Sequence, residues 1–303
     1  MQAPDDFNAP VGVAEPLEPG LRRILAPNPS PMTYRGTNTY LIGEGDLAVV
    51  DPGPENEAHL QAILRAVGQG QRISHIFVTH AHLDHSPLAR RLSQMTGAPV
   101  LAFGDALAGR SAVMHQLAET GLAGGGEGVD AAFQPDQALA DGEVIQGDGW
   151  QLEALWTPGH FGNHLSFAFE DVILTGDLVM GWASSLVSPP DGDLTDFMAS
   201  CEQLAKRPAR RFHAGHGAPV EVPQERLEWL LTHRRRRESQ ILAALDGAGG
   251  DAQALTRQIY TETPAALLPA AERNVFAHLV DLYGKNQIFS ADPLSFKAHF
   301  NLI

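Results

Sequence analysis

Residues 78–86 read VTHAHLDHS, which places His80, His82, Asp84 and His85 within six positions on a chain that has 13 histidines in 303 residues. Imidazole and carboxylate are metal ligands, and imidazole also titrates near neutrality. The stretch is therefore consistent with a metal site, a pH sensor or a polar loop. The choice turns on whether further ligands exist elsewhere. LWTPGH presents His160 seventy-five residues after His85, LTGD presents Asp177 seventeen later, and HAGHG presents His216 thirty-nine after that. Each follows an apolar run and sits beside glycine, as at a strand end where a rigid sheet fixes side chains while the backbone bends freely. Five imidazoles, two carboxylates and no thiolate form a catalytic set, because structural zinc sites are usually closed by cysteine. One ion can take three histidines and keep an open position, while a second takes a histidine pair and a carboxylate. A carboxylate has two oxygens and can bridge both. Two ions about 3.5–4 Å apart would share a water whose pKa falls to about 7, giving hydroxide at neutral pH. Two divalent ions are expected, with zinc first and manganese or iron also suited to these donors.

The elements that must position these residues follow from patterning. TNTYLIGEGDLAVVDPGP gives two strands, about 38–42 and 47–50, around the turn GEGD. Leu60, Ile63, Leu64 and Val67 recur at helical spacing, with Gly68 as a stop. SHIFVTH is a strand ending at His80, and Ser86-Pro87 supplies an N-cap and first-turn proline for the helix PLARRLSQMTG. The histidine cluster thus occupies a strand-to-helix loop. PVLAF, QLEALW, LSFAF and DVILTGD are further strands, and mixed strands and helices of this kind predict a layered α/β domain. GLAGGGEGVD matches no phosphate-binding glycine pattern and reads as a linker or lid. After Pro223 the chain turns helical, with three helices and a short hairpin around IFS and FKAHF, an order that resembles a winged helix.

Length favours one large domain and one small one, divided as residues 1–222 and 223–303. Hydrophobic residues make up 44% and charged residues 19%, the composition of a folded globular chain. The formal charge is −15, and it is unevenly spread. From residue 223 onward 9 Lys+Arg meet 9 Asp+Glu, which leaves 12 against 27 in the first part. An acidic first domain disfavours nucleic acid, whose binding draws on cations meeting phosphates. The run Arg234–Arg237 points around a helix instead of along one face, and Arg234 joins the apolar stripe of Leu227, Leu230, Leu231, Ile241, Leu242 and Leu245. A solvated helix with snorkelling arginines is expected. The third helix carries Glu272, Arg273, Asp281 and Lys285 and offers no basic reading surface. The single cysteine, Cys201, excludes an intrachain disulfide and reads as a buried thiol in a helix. No apolar run is long enough to span a bilayer, and MQAPDDFNAP lacks the basic start and apolar core of a leader. A cytoplasmic enzyme without a membrane partner is expected, and a homodimer is left open.

HAHLDH, TPGH, LTGD and AGHG, in this order over residues 36–217, resemble the metallo-β-lactamase fold hydrolases, whose hallmark is HxHxDH with these later elements. The resemblance implies an α/β fold of four αββα layers. It implies that His80, His82 and His160 hold one metal, that Asp84, His85 and His216 hold the other, and that Asp177 bridges. Asp51, in VVDPG, matches the residue that supports the metal loop from behind the ligands. TNTYLIG, PPDGDLTDFMASCEQL and IY…TP…LLPAAERNVFAHL are similar to the subgroup with a C-terminal winged-helix-like domain, which includes an endoribonuclease and thioesterases of polyketide carriers. Ser184 and Ser185 stand where relatives tend to have threonines and are candidates for substrate binding. His164 matches a second histidine of this branch, expected to contact substrate, to orient a neighbour or to serve structure. His213 is expected to be packed. Exported zinc β-lactamases carry a leader, so antibiotic hydrolysis is disfavoured. The leading expectation is a two-metal hydrolase of a small ester or thioester, in which a bridging hydroxide attacks and Asp84 orients it and takes its proton. The alternatives are a phosphodiesterase or endoribonuclease of the same fold, and a winged-helix interaction protein with a vestigial metal domain.

Overall fold

Alternating burial builds two sheets that share one core. The first contains β1 (Glu15–Glu18), β2 (Leu21–Leu25), β3 (Asn38–Ile42), β4 (Asp46–Val50), β5 (Arg72–Phe77), β6 (Val100–Ala102) and β7 (Gln137–Ala138), side by side in that order. It is antiparallel up to β4 and parallel from β4 to β7. The second runs β8 (Val144–Gly147), β9 (Trp150–Trp156), β10 (Leu165–Phe169), β11 (Val172–Gly176) and β12 (Arg211–Ala214), with only β11 and β12 parallel. Leu165, Phe167 and Phe169 of β10 and Val172 and Leu174 of β11 pack with Tyr40, Ile42, Val50 and Phe77 of the first sheet. Their alternates, Ala168 and Ile173, belong to the outer layer, as the two-residue period of a strand requires. The computed structural model describes residues 7–303, so residues 1–6 of the stretch read for a leader lie outside the described residues.

Helices cover both outer faces. α1 (Glu57–Arg65) and α2 (Leu88–Thr96) bring Leu60, Ile63, Leu88 and Leu92 against Leu41, Val49 and Ile76. On the other side α4 (Leu194–Leu204), which follows α3 (Ala112–Glu119) in the chain, packs Leu194, Phe197, Cys201 and Leu204 on Ile173 and Phe212. The result is the expected four-layer α/β arrangement. α5 (Pro223–Leu245) serves two cores. Its first half adds Leu227, Leu230 and Leu231 to the α4 layer. Its second half adds Ile241 and Leu245 to α6 (Ala252–Ile259), α7 (Leu268–Gly284) and the hairpin β13 (Ile288–Phe289) and β14 (Asn301–Leu302). Among the described residues no helix is long and apolar enough to cross a membrane.

Four departures from the sequence reading bear on the site. β5 stops at Phe77, so His80 lies three residues past the sheet edge. Ser86 does not cap α2 through its side chain, because its hydroxyl donates to Asp130 Oδ2 at 2.8 Å. That bond belongs to a larger tie: Leu83 N–H donates to Gly128 O at 3.0 Å and Asp130 N–H to Ala81 O at 2.9 Å. The glycine-rich loop is thereby pinned along the histidine loop, which fits neither a free linker nor an unattached lid. Arg234 does not snorkel. It is 3% exposed, and its guanidinium donates to Ser184 O (2.9 Å), Ser185 O (2.8 Å) and Asn274 Oδ1 (2.8 Å).

Candidate metal centre

Four loops at one end of the two sheets bring the predicted residues together. His80, His82, Asp84 and His85 come from the turn between β5 and α2, and His160 from the turn between β9 and β10. Asp177 directly follows β11, and His216 follows β12 by two residues. Glycine is required at two of these places. Gly159 has φ 135°, and a side chain there would meet the Phe197 backbone at 2.2 Å. A Cβ on Gly215 would lie 2.3 Å from Asp177 Oδ1, so the backbone before His216 can approach the carboxylate only without one.

The donors fall into two groups. His80 Nε2 is 2.9 Å from His82 Nδ1, which is 3.1 Å from His160 Nε2. In the second group His216 Nε2 lies 3.1 Å from Asp84 Oδ2 and 3.2 Å from Asp177 Oδ2, while His85 Nε2 is 3.3 Å from Asp84 Oδ2. Asp177 stands between the groups, with Oδ2 at 3.8 Å from His160 Nε2 and Oδ1 at 3.5 Å from His85 Nε2. Within each group the ligand atoms lie within 4.8 Å of one another, and each group could hold a metal ion.

Hydrogen bonds on the far side of the rings aim these donors inward. His160 Nδ1 donates to Leu186 O (2.7 Å), His216 Nδ1 to Gly36 O (3.1 Å) and His85 Nδ1 to Asp51 Oδ2 (2.8 Å). A neutral imidazole whose proton is held outside presents a lone pair inside. Asp51, with φ 52° just after β4, also accepts from Thr79 N–H (2.7 Å) and Thr79 Oγ1 (2.8 Å), so one carboxylate fixes both ends of the histidine loop. Burial, together with neighbouring imidazoles, holds His80 well below its usual range and lowers His82 to about 3, which keeps both neutral. Burial also disfavours charge on His216, but Asp177 and Asp84 outweigh it and push it to about 10. His85 is raised for the same reason. Buried Asp84 Oδ1 and Asp177 Oδ1 have no hydrogen-bond partner. Converging lone pairs on one side and carboxylates that demand positive charge on the other suit two cations.

The remaining candidates divide by contact. His164 is fully buried, its Nδ1 on Thr157 Oγ1 (3.0 Å) and its Nε2 accepting from Asp177 N–H (3.2 Å), so it touches the backbone of a proposed ligand. His213 packs edge-on to Tyr40 with ring centroids 5.9 Å apart, as expected. Cys201 is buried, and burial raises its thiol to about 12, as an inert side chain requires. Ser184 and Ser185 both line a cavity of about 600 Å³ beside the two groups, although the Ser185 hydroxyl donates to Leu178 O at 3.0 Å. Sequence reasoning missed most of that cavity. Its walls include Met32, Trp182, Leu186, Trp229, Arg237 and Tyr260, drawn from both ends of the chain. The arginine run was the only local signal, and it reads as a solvated face when α6 and α7 are not in view.

Residues 32–216 match the model of the metallo-beta-lactamase superfamily, and residues 252–292 match the beta-lactamase associated winged helix domain. The chain is 31% identical over 269 residues to a beta-lactamase-like protein 2 homolog of Drosophila melanogaster, covering 86% of each protein. It is 29% identical over 275 residues to an atrochrysone carboxyl ACP thioesterase of Aspergillus fumigatus, covering 88% of this chain and 78% of that one. A solved metallo-beta-lactamase family protein from Thermus thermophilus superposes with a TM-score of 0.75 at 26% identity, over 95% of this chain and 100% of that one. A beta-lactamase domain protein from Burkholderia ambifaria shares the fold at 19% identity, with a TM-score of 0.79 over 100% of this chain and 97% of that one. With its histidine and aspartate groups and its C-terminal winged helix, the chain belongs to the metallo-beta-lactamase superfamily and is a metal-dependent hydrolase.

Proposed function

We propose that the protein is a two-metal hydrolase of small esters or thioesters. The observation that carries this reading is the cavity of about 600 Å³ beside both ligand groups, whose lining joins Met32, Met180, Trp182 and Leu186 to Trp229 and Leu267 of the C-terminal part. In this proposal residues 1–222 form the catalytic domain and residues 223–303 a domain that completes the substrate wall. His80, His82 and His160 would hold one ion, Asp84, His85 and His216 the other, and Asp177 both. Zinc is the proposed metal, and the same donors accept manganese or iron. Two such cations, when bound, would supply a water acidified to near neutrality and polarise the carbonyl. The protein's own groups do the rest. In this reading Asp84, whose Oδ1 is buried without a partner, would take a proton from the attacking water. His164 fixes the Asp177 backbone, Asp51 fixes His85, and the apolar wall keeps bulk water from the acyl group.

The thioesterase named among the relatives supports an acyl substrate. A phosphodiesterase reading has less support. The chain carries a net charge of −15, and exposed Arg235 of the arginine run is paired with Glu202 at 2.8 Å. The test is a parallel assay of metal-loaded protein on acyl thioesters, lactones and single-stranded RNA, with His85→Ala as the contamination control. Turnover of an ester or thioester that His85→Ala abolishes is expected. RNA cleavage alone, or turnover unchanged in the variant, would overturn the reading.

A further inference from the structure

The cavity lining combines two chemistries. It holds His82, Asp84, His160, Asp177 and His216 of the ligand groups, and also Arg237 of α5, whose guanidinium lies 3.9 Å over the ring of Tyr260, the residue that follows α6. The arginines of α5 differ in how they are satisfied. Arg234 is saturated by two carbonyls and Asn274, and Arg235 pairs with Glu202. Arg237 pairs with no carboxylate among the described residues, and its buried Nε has no hydrogen-bond partner. Partner shortage is not the reason, since the chain has 36 Asp+Glu for 21 Lys+Arg. A second donor on the same cavity wall, Trp182 Nε1, is also buried without an acceptor. Nearby His233 is held at about 4 by burial and the surrounding arginines, so at pH 7 the cations that α5 places on this lining are Arg234, already saturated by neutral oxygens, and Arg237. Apart from Asp84 and Asp177, the only carboxylate on the lining among the described residues is Glu127, which accepts from Ser30 Oγ at 2.6 Å.

A cation left without a carboxylate in an acidic protein, half-buried on the lining of the cavity that also holds the ligand groups, is a recognition group waiting for an anion. We propose that Arg237 is a specificity residue that binds a carboxylate or phosphate at the end of the substrate remote from the scissile carbonyl. The preferred substrate is then an anionic ester or thioester with an apolar body. The inference rests on reading this cavity as the acyl site, and its test does not depend on turnover.

The probes are fatty monocarboxylates and the corresponding α,ω-dicarboxylates, from succinate to sebacate, titrated calorimetrically into metal-loaded protein. Both members of a pair offer one carboxylate to the ions, so the affinity ratio between them reports the second anion alone. At one chain length the dicarboxylate should bind about ten-fold tighter or more, the range for hydrogen bonds to charged groups. Arg237→Met should collapse that ratio toward one, and Arg237→Lys should keep part of it. A third series with phosphate in place of the far carboxylate distinguishes the two anions: the tighter, Arg237-dependent partner is the one read. A ratio near one at every length, or a ratio that survives in Arg237→Met, overturns the proposal. If instead the ratio holds while no ester or thioester is cleaved, the hydrolase reading fails and the anion site stands.

Discussion

At the scale of single residues, the site depends on groups that never touch a metal. Asp51 ties His85 Nδ1 to both polar groups of Thr79 through one carboxylate. Asp51→Asn keeps an oxygen for the Thr79 N–H and tolerates the φ of 52°, but it turns an amide donor toward the His85 N–H. Metal affinity should fall about 10- to 100-fold with the fold intact. Titration against a competing chelator, with circular dichroism alongside, would measure this, and an unchanged affinity would remove Asp51 from the site. His164 makes a similar contribution through the Asp177 N–H. His164→Leu leaves that buried donor without an acceptor, at about 1–3 kcal/mol. Because a glutamine oxygen can accept the same bond, His164→Gln should recover part of the loss in thermal melts. Equal melting of the two variants would mean that the bond contributes nothing.

At the scale of elements, the C-terminal helices reach the metal centre through one loop. Arg234 of α5 holds the Ser184 and Ser185 carbonyls, Asn274 of α7 accepts from both Arg234 and Val187 N–H, and the intervening Leu186 carbonyl holds His160 Nδ1. Arg234→Met fills similar space but cannot fork to three oxygens. It should loosen the His80–His82–His160 group while sparing the other, lowering metal content by up to half and kcat ten-fold or more. Loss of all metal, or of none, in elemental analysis would contradict this route. This coupling was invisible in sequence, where Arg234 sits at an apolar stripe position and reads as a surface side chain. What was legible had a local cause. β3 and β4 announce themselves by β-branched runs around GEGD, and α5 by spaced leucines. The seven ligand candidates stand out because each follows an apolar strand. β1, β2, β7 and β8 were not read, β7 and β8 because they are short and mostly exposed, and the Ser86 cap failed because Asp130, forty-four residues away, claims the hydroxyl.

At the scale of the whole molecule, the winged helix is built into the hydrolase. Leu227, Leu230 and Leu231 share a core cluster with Leu178, Phe197 and Phe212, so removing residues 223–303 would uncover the α4 layer as well as open the cavity. Acid should unfold the protein for a related reason, namely that histidines outside the two ligand groups are buried without charge. His59, on Thr39 Oγ1 at 2.8 Å, and His213, beside Tyr40, are both 0% exposed, and burial lowers each to about 4. In the unfolded chain they titrate near 6.5. Between those values the unfolded state binds more protons, so stability is complete above about pH 6.5 and is lost as pH falls toward 4. At pH 5 each histidine should cost about 2 kcal/mol relative to neutrality. Denaturant melts from pH 7.5 to 5 with chelator present would separate this loss from metal release. His213→Leu should make the dependence shallower by about one histidine's share. A variant that tracks the wild-type slope would place the acid sensitivity in other buried imidazoles, such as His278, which burial also holds well below its usual range.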